Sequence, residues 1–134
     1  MIMREILFRG KRVDNGEWVE GFYVCLGDTF PYILSGKLDL KRSYVIFEKY
    51  EVVPETVGQY TGMEDNNGRP IFEGDILKLG IGKTRFVFYG VSSFRHTIYN
   101  GYSKEFDFKD KGYQVIGNIH DNSELLEKER ESRR

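Results

Sequence analysis

The chain has 134 residues, of which 40% are hydrophobic, 31% charged and 15% aromatic. That length argues for one domain, at most two small ones, with a real core, and the composition argues against disorder. Lys and Arg number 20 against 21 Asp and Glu, with 1 Cys and 2 His, for a net charge of -1. These numbers exclude a strong field toward DNA or an anionic membrane, an intramolecular disulfide and a four-ligand Cys/His zinc cage.

The first residues, Met1-Ile2-Met3-Arg4-Glu5-Ile6-Leu7-Phe8-Arg9, carry charges at positions 4, 5 and 9. They hold no uninterrupted apolar stretch of the kind a secretory signal needs. No window reaches the roughly 18–20 apolar residues of a membrane span, so a reduced cytoplasm is the expected setting. Residues 4–9 alternate in part, with Ile6 and Phe8 on one face. Asp14-Asn15-Gly16 predicts a hairpin closed by a type I′ turn. Residues 18–26 form the return strand, with Gly21 a candidate bulge and Cys25 a small buried hydrophobe. Gly27-Asp28 turns the chain into a strand at 29–34, where Pro31 marks an edge strand or a strand start. Residues 43–53 are a long β-branched and aromatic run closed by Pro54.

The second half repeats this grammar. Strands are predicted at 56–61, 76–79, 84–89, 93–99 and 113–119, with a second Asn-Gly turn at Asn67-Gly68. Residues 104–112 read as a loop or a short turn-bound strand. Segments 14–21 and 66–74 both run turn, apolar patch, Glu-Gly, strand; a duplicated hairpin and convergent turn chemistry both account for that. After residue 122 the period changes. Ser123-Glu124-Leu125-Leu126 opens a helix that Ser123 or Asn122 can cap, followed by a charged tail. The expectation is a single all-β domain at 1–122 and a charged helix or tail at 123–134.

Chemistry is sparse. Gly80-Ile81-Gly82-Lys83-Thr84 ends like a phosphate-binding loop, but Leu77 stands where that pattern needs its first Gly, and a strand follows. A β-turn fits better. Glu73 and Asp75 flank Gly74 and are the weak metal candidates; the alternative is that Gly74 supplies an unusual backbone angle and Asp75 bonds a turn amide. His120-Asp121 could be a general base with an orienting carboxylate, but adjacent residues on a strand point to opposite faces, and His96 has no partner in sequence; a structural or surface histidine fits both better. No catalytic residue, cofactor or firm metal site is assigned. Aromatic residues on a β scaffold can stack bases, and Arg85 and Tyr89, with the small cluster Arg9, Lys11 and Arg12, are the nucleic-acid candidates.

Four blocks together resemble the YopX family of small phage and prophage proteins. They are Arg4-Glu5-Ile6-Leu7-Phe8-Arg9, Val53-Pro54-Glu55-Thr56-Val57-Gly58-Gln59-Tyr60-Thr61-Gly62, Asp65 with Asn67-Gly68 and Ile71-Phe72-Glu73-Gly74-Asp75-Ile76, and Val115-Ile116-Gly117-Asn118-Ile119-His120-Asp121-Asn122-Ser123-Glu124-Leu125-Leu126. Many relatives have Tyr-Glu-Asn where this chain has His120-Asp121-Asn122. The resemblance implies an all-β fold of several hairpins in bifurcated or barrel-like sheets, open to self-association, and a gene expressed inside a bacterial host. It implies no activity. Within the blocks, Val57, Tyr60, Ile71, Ile76, Val115, Ile116 and Ile119 are core candidates. Arg4, Arg9, Glu55, Gln59, Tyr60 and Asn118 are the candidates for structural or partner roles, with Arg4 and Arg9 free to pair with Glu55 or Glu73.

The expected function is therefore a non-enzymatic accessory protein acting through contacts with itself or with a host or phage protein. The alternatives are a nucleic-acid-binding module and, more weakly, a metal-assisted hydrolase around Glu73, Asp75 and Asp121.

Overall fold

A computed structural model describes residues 6–27, 30–79, 83–89, 94–98, 103–105 and 112–125. They form antiparallel sheets that stay open rather than closing into barrels. The chain divides into two compact units, Met1–Tyr60 and Thr61–Arg134.

In the first unit, strands β1 (Phe8–Lys11), β2 (Trp18–Leu26), β3 (Phe30–Asp39) and β4 (Tyr44–Glu51) lie in the order β4-β3-β2-β1, and the start of β5 (Gly58–Glu64) pairs on the far side of β1. The β1–β2 hairpin forms where Asn-Gly predicts it, but not with a type I′ turn. That turn needs two positive φ angles, and among the described residues here only Gly16 has one, at 72°. Arg12 donates its N–H to the Glu17 carbonyl and Gly16 donates to that of Arg12. The Asn15 side chain accepts from Glu17 N–H at 2.9 Å. The result is a four-residue loop held by its own amide side chain.

The β1–β2 register runs without a shift from Lys11↔Trp18 to its last pair, Phe8↔Gly21. A Cβ at Gly21 would stand 2.1 Å from the Leu34 carbonyl oxygen, so the residue is glycine because another backbone approaches it. Pro31 marks a strand start and not an edge, since β3 lies between β2 and β4. The strand runs on to Asp39, past the predicted end at 34. Gly36 lacks a side chain to pack, and the Phe47 ring covers it from the neighbouring strand, 3.2 Å from where a Cβ would be. Cys25 is exposed and not a buried hydrophobe. It lies near the open end of β2, paired with Pro31, and its thiol donates to the Gly27 carbonyl.

The core of this unit holds Ile33 and Val52, both fully buried. Val52 reaches across to β1 through an isolated bridge with Arg12. After it, Pro54–Thr56 forms a single 3-10 turn, where the sequence pattern predicts the start of a strand. Pro54 suits the first position of that turn, because it has no N–H to leave unpaired. Buried Thr56 links turn and sheet: its hydroxyl accepts from Lys11 N–H at 2.9 Å and donates to the Val53 carbonyl at 2.6 Å.

In the second unit the rest of β5 lies beside β6 (Pro70–Phe72). A five-stranded sheet follows in the order β10-β9-β8-β7-β11, from β7 (Asp75–Leu79), β8 (Lys83–Tyr89), β9 (Phe94–Ile98), β10 (Ser103–Glu105) and β11 (Tyr113–Asn118). Its described core is Ile71, Leu77, Tyr113 and Val115, with Met63 packed against them. The β7–β11 register shifts between Val115 and Gly117, which leaves Ile116 as a bulge that the sequence pattern does not reveal. Of the core candidates, Ile71, Ile76 and Val115 are buried, while Val57, Tyr60, Ile116 and Ile119 are half-buried.

The two similar sequence segments adopt different structures. Glu20-Gly21 lies inside β2, whereas Glu73-Gly74 is a turn with Gly74 at φ 92°. Ser123 to Leu125 begin the predicted helix. Asn122 does not cap it with its side chain, which turns back to accept from Asn118 N–H. Residues 126–134, positions 80–82 of the predicted β-turn and residues 106–111 lie outside the described residues.

Candidate functional site

The motif blocks come first, because they are where a shared function would be sought. Asp65, Thr61 and Asn118 in these blocks are each bonded to backbone through their side chains. Asp65 is buried, and one carboxylate oxygen accepts the N–H groups of Asn67 and Arg69, while the other accepts Val115 N–H. Burial pushes its pKa up, but the Val115, Arg69 and Asn67 donors and the Arg69 charge outweigh this, and the net shift is downward. Thr61 donates its hydroxyl to the Ile71 carbonyl and accepts from Met63 N–H.

Asn118 organises the turn after β11. Its side-chain oxygen accepts from His120 and Asp121 N–H at 3.0 and 2.9 Å, and its amide donates to the Asp121 carboxylate at 3.2 Å. Asn122 closes the turn by donating its N–H to the Asn118 carbonyl. Gly117 is glycine because the Asn122 amide fills the space of a side chain, with its oxygen 2.4 Å from an added Cβ. His120 and Asp121 therefore sit in a turn and not on opposite faces of a strand.

The weak metal candidates fall into the same pattern. Asp75 is buried and accepts Phe72 N–H at 2.8 Å across the Glu73-Gly74 turn. Glu73 beside it is half-buried. Among the described residues no group of three or more His, Cys, Asp or Glu is placed to hold a metal ion. Gln59 and Tyr60 lie half-buried in β5, where Gln59 pairs with Phe8 and Tyr60 donates its N–H to the Leu7 carbonyl. Glu55 is exposed on the 3-10 turn. Arg4 lies outside the described residues. Arg85 and Tyr89 lie in β8, where Arg85 pairs with Leu77 and Ile98.

The basic cluster rests on aromatic rings of its own sheet. The Arg9 guanidinium lies 4.7 Å from the centre of the Trp18 ring and the Lys11 ammonium 5.7 Å from it. Arg12 lies 4.5 Å from the Tyr50 ring centre and makes a two-pronged contact with Asp14. That contact holds the Asp14 carboxyl below its ordinary range. Lys49 sits over Tyr32 at 4.6 Å. These contacts hold the cations along the strands.

A different feature stands out, and the sequence reading does not single it out. Residues directly opposite in an antiparallel ladder share a face. The registers Phe22↔Leu34, Gly36↔Phe47 and Leu38↔Val45 therefore put these side chains on one face of the first unit. Four of them are open to solvent: Phe22 57%, Leu38 63%, Val45 50% and Phe47 54%. Phe22 and Phe47 touch, with ring centroids 6.4 Å apart. On the opposite face Tyr44 and Ile46 are also exposed. At the hairpin tip an open groove of about 350 Å³ is lined by Lys37, Leu38, Asp39, Leu40, Lys41 and Ile46. Contiguous exposed apolar surface of this kind marks contact sites. The signal available in the sequence was Tyr44-Val45-Ile46-Phe47, four apolar residues in succession between Lys41-Arg42 and Glu48-Lys49. Such a run reads as a strand buried on both faces, and here both faces are open.

Among the described residues, no helix is long and apolar enough to cross a membrane. No curated protein matches the sequence. A solved structure, that of protein EF1440 from Enterococcus faecalis, is similar with a TM-score of 0.60 and 25% identity, covering 92% of this chain and 99% of that one. The family described as YopX protein matches residues 7–127, so the match takes in all four motif blocks apart from the first residues and the Asn118 turn closes inside it. With that match over most of its length, the chain belongs to the YopX family.

Proposed function

We propose that this chain is a non-enzymatic accessory protein of a phage or prophage, acting through protein contacts in the cytoplasm of a bacterial host. The observation that carries the reading is the exposed apolar face of β2, β3 and β4, built from Phe22, Leu38, Val45 and Phe47. Large apolar side chains in water are unfavourable by roughly 1.5–3 kcal/mol each compared with burial. A partner that covers them recovers that energy. Thr56, Asp65 and Asn118 support the same reading from the other side, since each holds backbone of a turn with its side chain.

The test is capture of tagged wild-type protein from producing cells, with and without nuclease, beside Phe47→Asp and Leu38→Asp. The expected result is a stoichiometric protein that survives nuclease and is lost from both variants. Recovery that vanishes with nuclease supports the nucleic-acid reading instead. Equal capture by wild type and both variants sinks the role of this face.

A further inference from the structure

The two described Asn-Gly turns are closely matched. Asn15 and Asn67 are both exposed. Gly16 and Gly68 follow them with φ 72° and 76°. Gly16 donates its N–H to the Arg12 carbonyl and Gly68 donates to that of Asp65, each at 3.0 Å. Beyond their chain neighbours, an added Cβ meets nothing within 4 Å at Gly16, and at Gly68 only the Glu64 carboxylate, at 4.0 Å. The turns differ in what holds them. At the first, the Asn15 side-chain oxygen accepts Glu17 N–H at 2.9 Å. At the second, the Asp65 carboxylate takes that part, accepting Asn67 N–H at 2.9 Å and Arg69 N–H at 2.8 Å. Among the described residues, no hydrogen bond holds the Asn67 side chain.

We propose that Asn67 is a site of spontaneous backbone modification, converting to aspartate and isoaspartate faster than Asn15 does in the folded protein. The Gly68 backbone nitrogen adds to the Asn67 side-chain carbonyl carbon, and the new C–N bond closes a five-membered succinimide ring. The proton lost from that nitrogen passes through water to the side-chain amide nitrogen, which departs as ammonia. Water then opens the ring at either carbonyl. One opening gives aspartate. The other gives isoaspartate, in which the main chain runs through the former side chain. The first step needs the Asn carbonyl carbon to swing onto the next nitrogen, and a neighbour without Cβ leaves that approach open. The unheld Asn67 side chain is free to swing, whereas Asn15 must first give up its bond to Glu17. The product has a consequence at Asn67 because of what grips that turn. Isoaspartate lengthens the main chain between Asn67 N–H and Arg69 N–H, the two groups that share one Asp65 oxygen. The spacing that let one oxygen accept both is lost, and the modified turn gives up part of the fastening that Asp65 extends to Val115.

The test is timed incubation of the full-length protein at mildly alkaline pH, followed by peptide mapping with mass spectrometry and by labelling with an isoaspartyl methyltransferase. Asn67 should convert several-fold faster than Asn15 in native protein. In concentrated urea the two rates should converge, because the dipeptides are the same and only the fold separates them. A third Asn-Gly pair, Asn100-Gly101, lies outside the described residues and is read as its own peptide in the map. Ageing should lower the melting temperature of the wild type more than that of Asn67→Ser, which keeps the backbone donors of the turn and cannot form the ring by losing ammonia. Asn15 converting as fast as Asn67 in native protein, a rate difference that persists unchanged in urea, or equal loss of melting temperature in wild type and Asn67→Ser overturns the inference.

Discussion

The carboxylate of Asp65 accepts the backbone N–H of Val115, fifty residues further along, at 2.9 Å. The same side chain holds the tight turn at Asn67-Gly68. One acidic group thus fastens a local turn to the strand that carries the Ile116 bulge. Asp65→Ala strands three backbone donors and should cost about 2–4 kcal/mol, with Asp65→Asn costing less because one acceptor survives. Urea unfolding of the three proteins measures this.

The pH dependence follows from the same contacts. The folded-state pKa of Asp65 lies below its ordinary 3.8. Its stabilisation is therefore complete above the ordinary value and is lost as pH falls through the depressed one. Melting temperature should decline on acidification below about pH 4, and Asp65→Asn should flatten that decline. An unaltered acid limb in the variant would show that other carboxylates govern it.

Gly117 and Asn122 interlock, and that gives a paired prediction. Gly117→Ala drives a methyl into the Asn122 amide, at 2.4 Å from its oxygen. The expected loss is about 1–3 kcal/mol. Asn122→Ala removes the amide and leaves only its Cβ, 2.9 Å from the added methyl, and it also removes one hydrogen bond to Asn118 N–H. The double variant should therefore lose less than the sum of the two singles, as a double-mutant cycle would show.

Two glycines in the first hairpin separate two reasons for being glycine. Gly16 has φ 72° and nothing within 4 Å of an added Cβ. Gly16→Ala should cost only the left-handed backbone strain, about 1–2 kcal/mol. Gly21 has no such φ, yet a carbonyl oxygen stands 2.1 Å from its Cβ position. Gly21→Ala should destabilise more than Gly16→Ala, because the obstacle is backbone and cannot rotate away. Thermal melts of the two variants decide the order.

Leu38→Ser tests whether the exposed face belongs to the folding core. The side chain is 63% exposed, so the stability change should stay within about 0.5 kcal/mol. Self-association and partner capture, measured on the same sample, should fall.

Fold class, most strand positions and the hairpin at Asn15-Gly16 were legible because they are written in local pattern. The return strand Trp18–Leu26 ends where its apolar run meets Gly27. What was not legible depends on residues far apart. The second half of β3 reads Ser35-Gly36-Lys37, a poor strand by propensity, and it pairs because Phe47 and Ile46 lie opposite. The Ile116 bulge follows from a register set by β7. Asn118 and Asp65 were recognisable as polar residues in need of partners, but their donors lie in turns that no periodicity describes. The exposure of Phe22, Leu38, Val45 and Phe47 was the least accessible, since a run of apolar residues states what prefers burial and not whether anything covers it.

The hydrogen bond from Val13 to the Glu51 carbonyl also limits misassembly. It closes the β4 edge at one end, just as the turn at Ser43 closes it at the other. The outward-facing groups left between them run from Val45 to Lys49, a stretch shorter than the six or seven residues that stack into cross-β fibrils. A chain with an apolar strand in water can then meet a neighbour along that strand without offering enough length to seed a fibre.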